Sequence, residues 1–259
     1  MKKMFKAFLI LLVISLVFST SAFAKNDNGK NSLVALGDSI PFGYNLDANN
    51  NHPSKKAFPF LMGKEADLRV NNLGIPGLTT DGMLNLLQTN QKYRQAVKHA
   101  DYITLNIGSN DLIAALRAAA AASGGDTEYF KFLLMQNIEN SNIVGKLKLT
   151  IAEIRKLSAA PIVIHNIYNP FQEPEYELQF LATKLLPDIN KIFLGLVYAN
   201  ENVVLADAYT AFGSNQAKYV IAGDIHPTVA GHEKLAGISL AALGLNKKEK
   251  QQKKKKKVK

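Results

Sequence analysis

Ser39 stands just beyond the apolar run Leu33-Val34-Ala35-Leu36, reached through Gly37 and Asp38, and His226 lies near the other end of the chain in Gly223-Asp224-Ile225-His226-Pro227-Thr228. A serine hydroxyl is a poor nucleophile until a neighbouring base takes its proton, and the oxyanion its attack creates needs donors already in place. Imidazole is the base whose ordinary pKa suits neutral pH. Of the five histidines, His52 falls in an Asn-rich loop, His99 near a predicted helix end, His165 in a predicted strand and His232 in a predicted helix; each reads as a surface or packed residue. His226 differs, because Pro227 fixes the turn after it and a helix beginning near Thr228 holds it in place. For the oxyanion, Gly77 can present a bare backbone amide, Asn110 a side-chain amide, and Ser39 its own N–H. Each also has a plainer reading: Ser39 as a helix cap, Gly77 as a tight turn, Asn110 as an N-cap. The combination favours chemistry where the single residues do not.

These residues must be carried by something, and the hydrophobic pattern says what. Apolar runs of strand length recur at 32–36, 68–72, 102–107, 162–167 and 203–206. Segments of helical period lie at 58–66, 80–87, 93–99, 111–121, 127–157, 175–198 and 228–243. Alternating strands and helices predict a parallel sheet covered on both faces, whose sites gather at the carboxyl ends of the strands. The unusual residues do follow the strands: 71–80 after the second, Gly108-Ser109-Asn110-Asp111 after the third, Asn166-Ile167-Tyr168-Asn169-Pro170-Phe171 after the fourth and Asp207 after the fifth. The interval 127–157 is longer than a crossover needs and is expected to break near 140–145. Residues 112–157 read as surface helices packed on the sheet or, hinged at Gly124-Gly125, as a mobile cover over the site.

The ends of the chain have a different composition. Lys2, Lys3 and Lys6 precede an apolar run, and Ala22-Phe23-Ala24 offers small residues for cleavage, so 1–24 reads as a secretory signal peptide. Residues 25–246 form one domain, and 247–259, with nine lysines and one glutamate, a disordered tail. Leader and tail together carry more than the whole net charge of +10, which leaves the body about neutral and implies no nucleic-acid surface. The tail is either merely solvated or a retention device for an anionic cell wall or membrane surface. The expected location is therefore secreted, extracellular or cell-wall associated. Absence of cysteine excludes disulfides and a thiol-linked lipid anchor, and does not argue against export.

Gly37-Asp38-Ser39, the Asn72-x-Gly-x-x-Gly77 loop, Gly108-x-Asn110-Asp111 and His226-Pro227 resemble, in order and spacing, the four sequence blocks of the GDSL-type esterases, also called SGNH hydrolases. The resemblance runs from Leu33 to His232. It implies a three-layer α/β/α, flavodoxin-like fold with a five-stranded parallel sheet in the order 2-1-3-4-5. It further implies Ser39 as nucleophile, His226 as general base, Gly77 and Asn110 as oxyanion-hole donors, and hydrolysis of carboxylic esters through an acyl-enzyme with no metal or cofactor. The family usually places its acid three residues before the histidine, where this chain has Gly223; Asp224 lies only two before. Either Asp224 turns to the other ring nitrogen of His226, or a backbone carbonyl such as that of Gly223 orients the ring.

Two other classes stay open at this stage: a non-catalytic module for carbohydrate or cell-wall polymer on the same fold, and a flavodoxin-like cofactor carrier. The second lacks a phosphate-cradling Gly-x-Gly-x-x-Gly or Gly-Lys-Ser/Thr loop. The expected substrate is a small-molecule or acylated-glycan ester. Phe42, Tyr44, Leu78, Tyr168 and Phe171 are the candidate lining of an acyl pocket, or else core. Acyl chain length and oligomeric state are not written in the sequence.

Overall fold

The computed structural model describes residues 29–172 and 175–246. The expected leader 1–24 and tail 247–259 lie outside the described residues. The fold and the site lie in the unit that begins at Asn31.

Five strands, β1 (Ser32–Gly37), β2 (Arg69–Asn72), β3 (Tyr102–Asn106), β4 (Ile162–His165) and β5 (Val203–Ala206), form one sheet in the order β2-β1-β3-β4-β5. Every neighbouring pair is parallel. Parallel neighbours need crossovers, and helices supply them. After β1 come α1 (Ser39–Phe42) and α2 (Phe58–Ala66); after β2, α3 (Thr80–Thr89) and α4 (Gln91–Lys98). After β3 come α5 (Ser109–Ala122), α6 (Thr127–Asn140) and α7 (Ile143–Leu157); after β4, α8 (Tyr176–Tyr198). After β5 come α9 (Ala208–Phe212), α10 (Gln216–Tyr219) and α11 (Val229–Ala242). The three-layer α/β/α architecture and the strand order are those the family resemblance implies.

The period of two along a strand sends alternate side chains to opposite faces. Val34, Leu36, Ile103, Leu105, Ile162 and Ile164 pack under α3, α4, α7 and α8 through Met83, Val97, Leu147 and Phe193. Leu33 packs on the other face with α2, α9 and α11 through Phe58, Met62, Phe212 and Leu235. The inner strands β1 and β4 are buried along their whole length, whereas the edge strand β2 is the polar Arg69-Val70-Asn71-Asn72, as an unpaired edge requires. A third, smaller core of Ala115, Ala119 and Leu134 joins α5 to α6.

The long helical interval does break where expected, at Ser141 and Asn142, with Asn142 in the left-handed region (φ 50°). The short helices α9 and α10 are additions to the sequence reading, since four or five residues are too few to display a helical period.

Candidate active site

The site grows from the end of β1. At Gly37 (φ 152°) a Cβ would lie 2.1 Å from the Asn106 carbonyl oxygen, so only glycine lets the chain leave the sheet this close to β3. Asp38 then caps α1, its Oδ1 accepting from the Ile40 N–H at 2.9 Å, and Ser39 occupies the first helical position. The Asn72 side chain bridges two segments: Nδ2 donates to the Pro41 carbonyl, and Oδ1 accepts from the Gly74 N–H at 3.0 Å. Gly74 abuts the serine turn closely enough that a Cβ would sit 2.7 Å from Phe42 N and 2.9 Å from Asp38 O. The steric demand for glycine in this loop is therefore at Gly74. Gly77 has open space around it and a positive φ of 79°; it is exposed on the turn closed by the Leu78 N–H and the Ile75 carbonyl. The N–H groups of Ser39 and Gly77 have no protein acceptor among the described residues.

His226 reaches Ser39 from the far side. Its Nε2 lies 2.9 Å from Ser39 Oγ, and its Nδ1 lies 2.7 Å from Asp224 Oδ1. Asp224, not a carbonyl of Gly223, thus contacts the second ring nitrogen despite its short spacing. A tight hairpin makes this reach possible. The Ile221 N–H donates to the His226 carbonyl at 2.9 Å, the Asp224 N–H to the Ile221 carbonyl at 3.0 Å, and Gly223 turns the chain at φ 69°. The carboxylate accepts the Ile225 N–H on Oδ1 at 2.6 Å and the Asn45 Nδ2 on Oδ2 at 2.7 Å. Tyr168 supports the hairpin from below, its hydroxyl donating to the Ile225 carbonyl at 2.6 Å and its ring stacking on Phe212. Tyr44 lies against the imidazole with ring centroids 5.0 Å apart.

Asn110 projects from the start of α5, a start held by Asp111, whose carboxylate accepts the Thr80 N–H (2.9 Å) and hydroxyl (2.7 Å). Asn110 Nδ2 donates to the Leu78 carbonyl at 2.9 Å and lies 3.5 Å from Asp38 Oδ2, so its second hydrogen is at most weakly engaged. The N-cap of α5 is Gly108, not Asn110.

Burial sets the charges around these groups. Asp38 is fully buried, and loss of solvation pushes its carboxyl up to about 7 against the pull of the Ile40 and Asp38 N–H groups; Asp111 adds a smaller push. For Asp224 burial also opposes charge, but the hydrogen bonds from Asn45, Ile225 and His226 and the charge of His226 outweigh it and hold the carboxyl below the usual range. Burial, with Asp38 and Asp224 nearby, raises the Tyr168 phenol well above its ordinary value, so it stays a donor. His165 and His232 are core residues: Nε2 of His165 faces Ser239 Oγ at 2.8 Å, and Nδ1 of His232 accepts the Phe58 N–H at 3.1 Å. Burial drops them to about 4 and about 3.

Ser39, Asn110 and His226 line one cavity; Gly77 does not. Of the expected apolar lining, Tyr168 and Phe171 are present and Phe42, Tyr44 and Leu78 are not; most of the wall comes from α5, α6 and α8. Sequence reasoning also missed Asn45, whose only signal was an asparagine in a polar loop, 179 residues from the carboxylate it holds. Among the described residues no group of three or more His, Cys, Asp or Glu side chains is placed to hold a metal ion.

Residues 35–234 match the model of the GDSL-like lipase/acylhydrolase family. The uncharacterized protein YpmR of Bacillus subtilis (strain 168) is 24% identical over 210 residues, covering 79% of this chain and 78% of its own. Among solved structures, the lipase Lip_vut3 from a goat rumen metagenome is 22% identical with a TM-score of 0.65, over 84% of this chain and 99% of its own. The extracellular lipase of Streptomyces rimosus is 18% identical with a TM-score of 0.63, over 82% and 99%.

Proposed function

Since the chain belongs to the GDSL-like lipase/acylhydrolase family, and with it to the carboxylic ester hydrolases, we propose that Ser39, His226 and Asp224 are its catalytic triad and that it works through an acyl-enzyme. The observation that carries this reading is the unbroken line from Ser39 Oγ through both nitrogens of His226 to Asp224 Oδ1, at 2.9 and 2.7 Å.

His226 Nε2 takes the Ser39 proton as Oγ attacks the ester carbon, and Asp224 keeps the imidazole in the tautomer whose Nδ1 carries hydrogen and stabilises the imidazolium that forms. The carbonyl oxygen becomes an oxyanion received by the N–H groups of Ser39 and Gly77 and the second, weakly held amide hydrogen of Asn110. The uncommitted N–H groups support this assignment, since a donor already spent on protein has nothing left to offer. Gly77, exposed and outside the lining of the cavity, is the donor that substrate must meet from the open side. The tetrahedral adduct expels the alcohol as His226 returns the proton to its oxygen, leaving acyl-Ser39. Water, deprotonated by His226, then attacks the acyl carbon, and the carboxylic acid and free Ser39 are regenerated. Ser39→Ala is expected to abolish p-nitrophenyl acetate cleavage with an unchanged unfolding midpoint; undiminished cleavage by a folded variant would falsify the assignment.

Export through residues 1–24 and retention by the lysine tail 247–259 complete the proposal, supported by composition. Cell envelopes bearing the full chain are expected to release it with rising salt, and a chain lacking 247–259 to be released without it. Equal retention of the two forms removes any role for the tail.

A further inference from the structure

The cavity beside Ser39 is polar only at its mouth, where Ser39, Ser109, Asn110 and His226 meet. The one other hydroxyl on its wall, that of Tyr168, is committed to the Ile225 carbonyl. Behind the mouth the walls are aliphatic: Leu116 from α5, Leu134 and Ile138 from α6, and Leu181, Leu185 and Ile189 from α8. Nothing there can hydrogen-bond a sugar hydroxyl. Sugar hydroxyls stripped of water without partners are costly to bury.

The cavity measures about 110 Å³, but its inner wall is one side chain thick. Two grooves of about 920 and 820 Å³ flank α6 and share that wall, the first through Ile138 and Ile189 and the second through Leu134, Leu181 and Leu185. Where the grooves open to solvent, Phe132, Met135 and Phe180 are more than half exposed, beside the charged side chains of Glu128, Lys131, Glu177 and Lys184. The helix that divides them, α6, contributes a single fully buried side chain, Leu134, to the small core it shares with α5. A path of apolar surface thus runs from the nucleophile, past side chains that can rotate aside, to the surface.

We infer that the site selects esters by their acyl part, taking fatty acyl groups of medium chain length or longer and seating the tail between α5, α6 and α8. This rests on the triad reading, since it takes Ser39 as the point where the acyl carbon is held. An acetyl group leaves the aliphatic wall without a partner, whereas each buried methylene favours binding about fourfold.

The test is kcat/KM of the full chain on p-nitrophenyl acetate, butyrate, octanoate and palmitate. Octanoate is expected to exceed acetate at least about tenfold, well below the roughly 10³-fold that six fully buried methylenes allow. Leu134→Trp on α6 and Leu181→Trp on α8 each fill the path, and the octanoate-to-acetate ratio is expected to collapse in whichever of the two is folded. A parent that prefers acetate overturns the inference while leaving the triad intact, and so does a ratio unmoved in both folded variants. A parent that cleaves no member of the series counts against the triad as well. A lysophospholipid and an acyl thioester of the same chain separate lipid from thioester sources; hydrolysis of either supports the acyl assignment.

Discussion

Asp38, next to the nucleophile, offers a test of the site's electrostatics that needs no substrate. In the unfolded chain its carboxyl ionises at an ordinary 3.8; in the fold, burial holds the proton on up to about 7. Between those values the folded state binds more proton than the unfolded state, so stability falls as pH rises and levels off above pH 7. Each pH unit in that window removes about 1.4 kcal/mol. Asp38→Asn keeps the oxygen that caps the Ile40 N–H and removes the titration. It also places an amide near Asn110 Nδ2, at the 3.5 Å now separating that atom from Asp38 Oδ2. That cost does not depend on pH and cancels when the comparison is made across pH. Relative to the parent, the variant therefore gains about 3 kcal/mol between pH 5 and pH 9, two units of the shift being traversed. Urea unfolding of both proteins at pH 5, 7 and 9 measures it. Curves that stay parallel across the range refute the buried, proton-holding carboxyl.

Further outcomes follow from the same contacts. Asp224→Ala is expected to lower kcat on p-nitrophenyl esters by up to about 10⁴; a loss within about threefold makes the site a Ser39–His226 dyad instead. Asn45→Ala frees one carboxylate oxygen where water can reach it, so kcat falls less, about tenfold with KM little changed; a change below about twofold denies Asn45 a positioning role. Burial drops His165 and His232 to about 4 and about 3, so the unfolded chain takes up protons below about 6.5 while the folded one does not. Stability present above that pH is lost as pH falls toward 4 and 3. His232→Gln is expected to flatten the decline between pH 6.5 and 4 by about 1.4 kcal/mol per unit, and equal slopes in parent and variant contradict it.

The sheet was legible because buried parallel strands read as short apolar runs, and β1 and β4 are of that kind. Ser39 and His226 were legible from residue type and from their places after β1 and before α11. What local pattern does not hold was missed. Whether Asp224 meets His226 depends on the left-handed turn at Gly223, which the glycine permits without dictating. The partnership of Asn45 with Asp224 is a contact between distant loops, invisible to spacing. The cavity wall was sought among aromatics at strand ends, yet helices α5, α6 and α8 build most of it, because which helical face turns toward Ser39 is settled by packing rather than by period. Gly77 was singled out for the amide it presents, while the packing that demands glycine in this loop falls on Gly74, which spacing alone does not distinguish.

The most direct measurement of the central claim is the mass of the protein, and of its peptides, after reaction with a fluorophosphonate. A nucleophile activated by His226 gives one covalent adduct, on the peptide bearing Ser39, and His226→Ala slows its formation by orders of magnitude. Labelling at any other residue, or a Ser39 that stays unmodified under conditions that label a serine hydrolase to completion, contradicts the account.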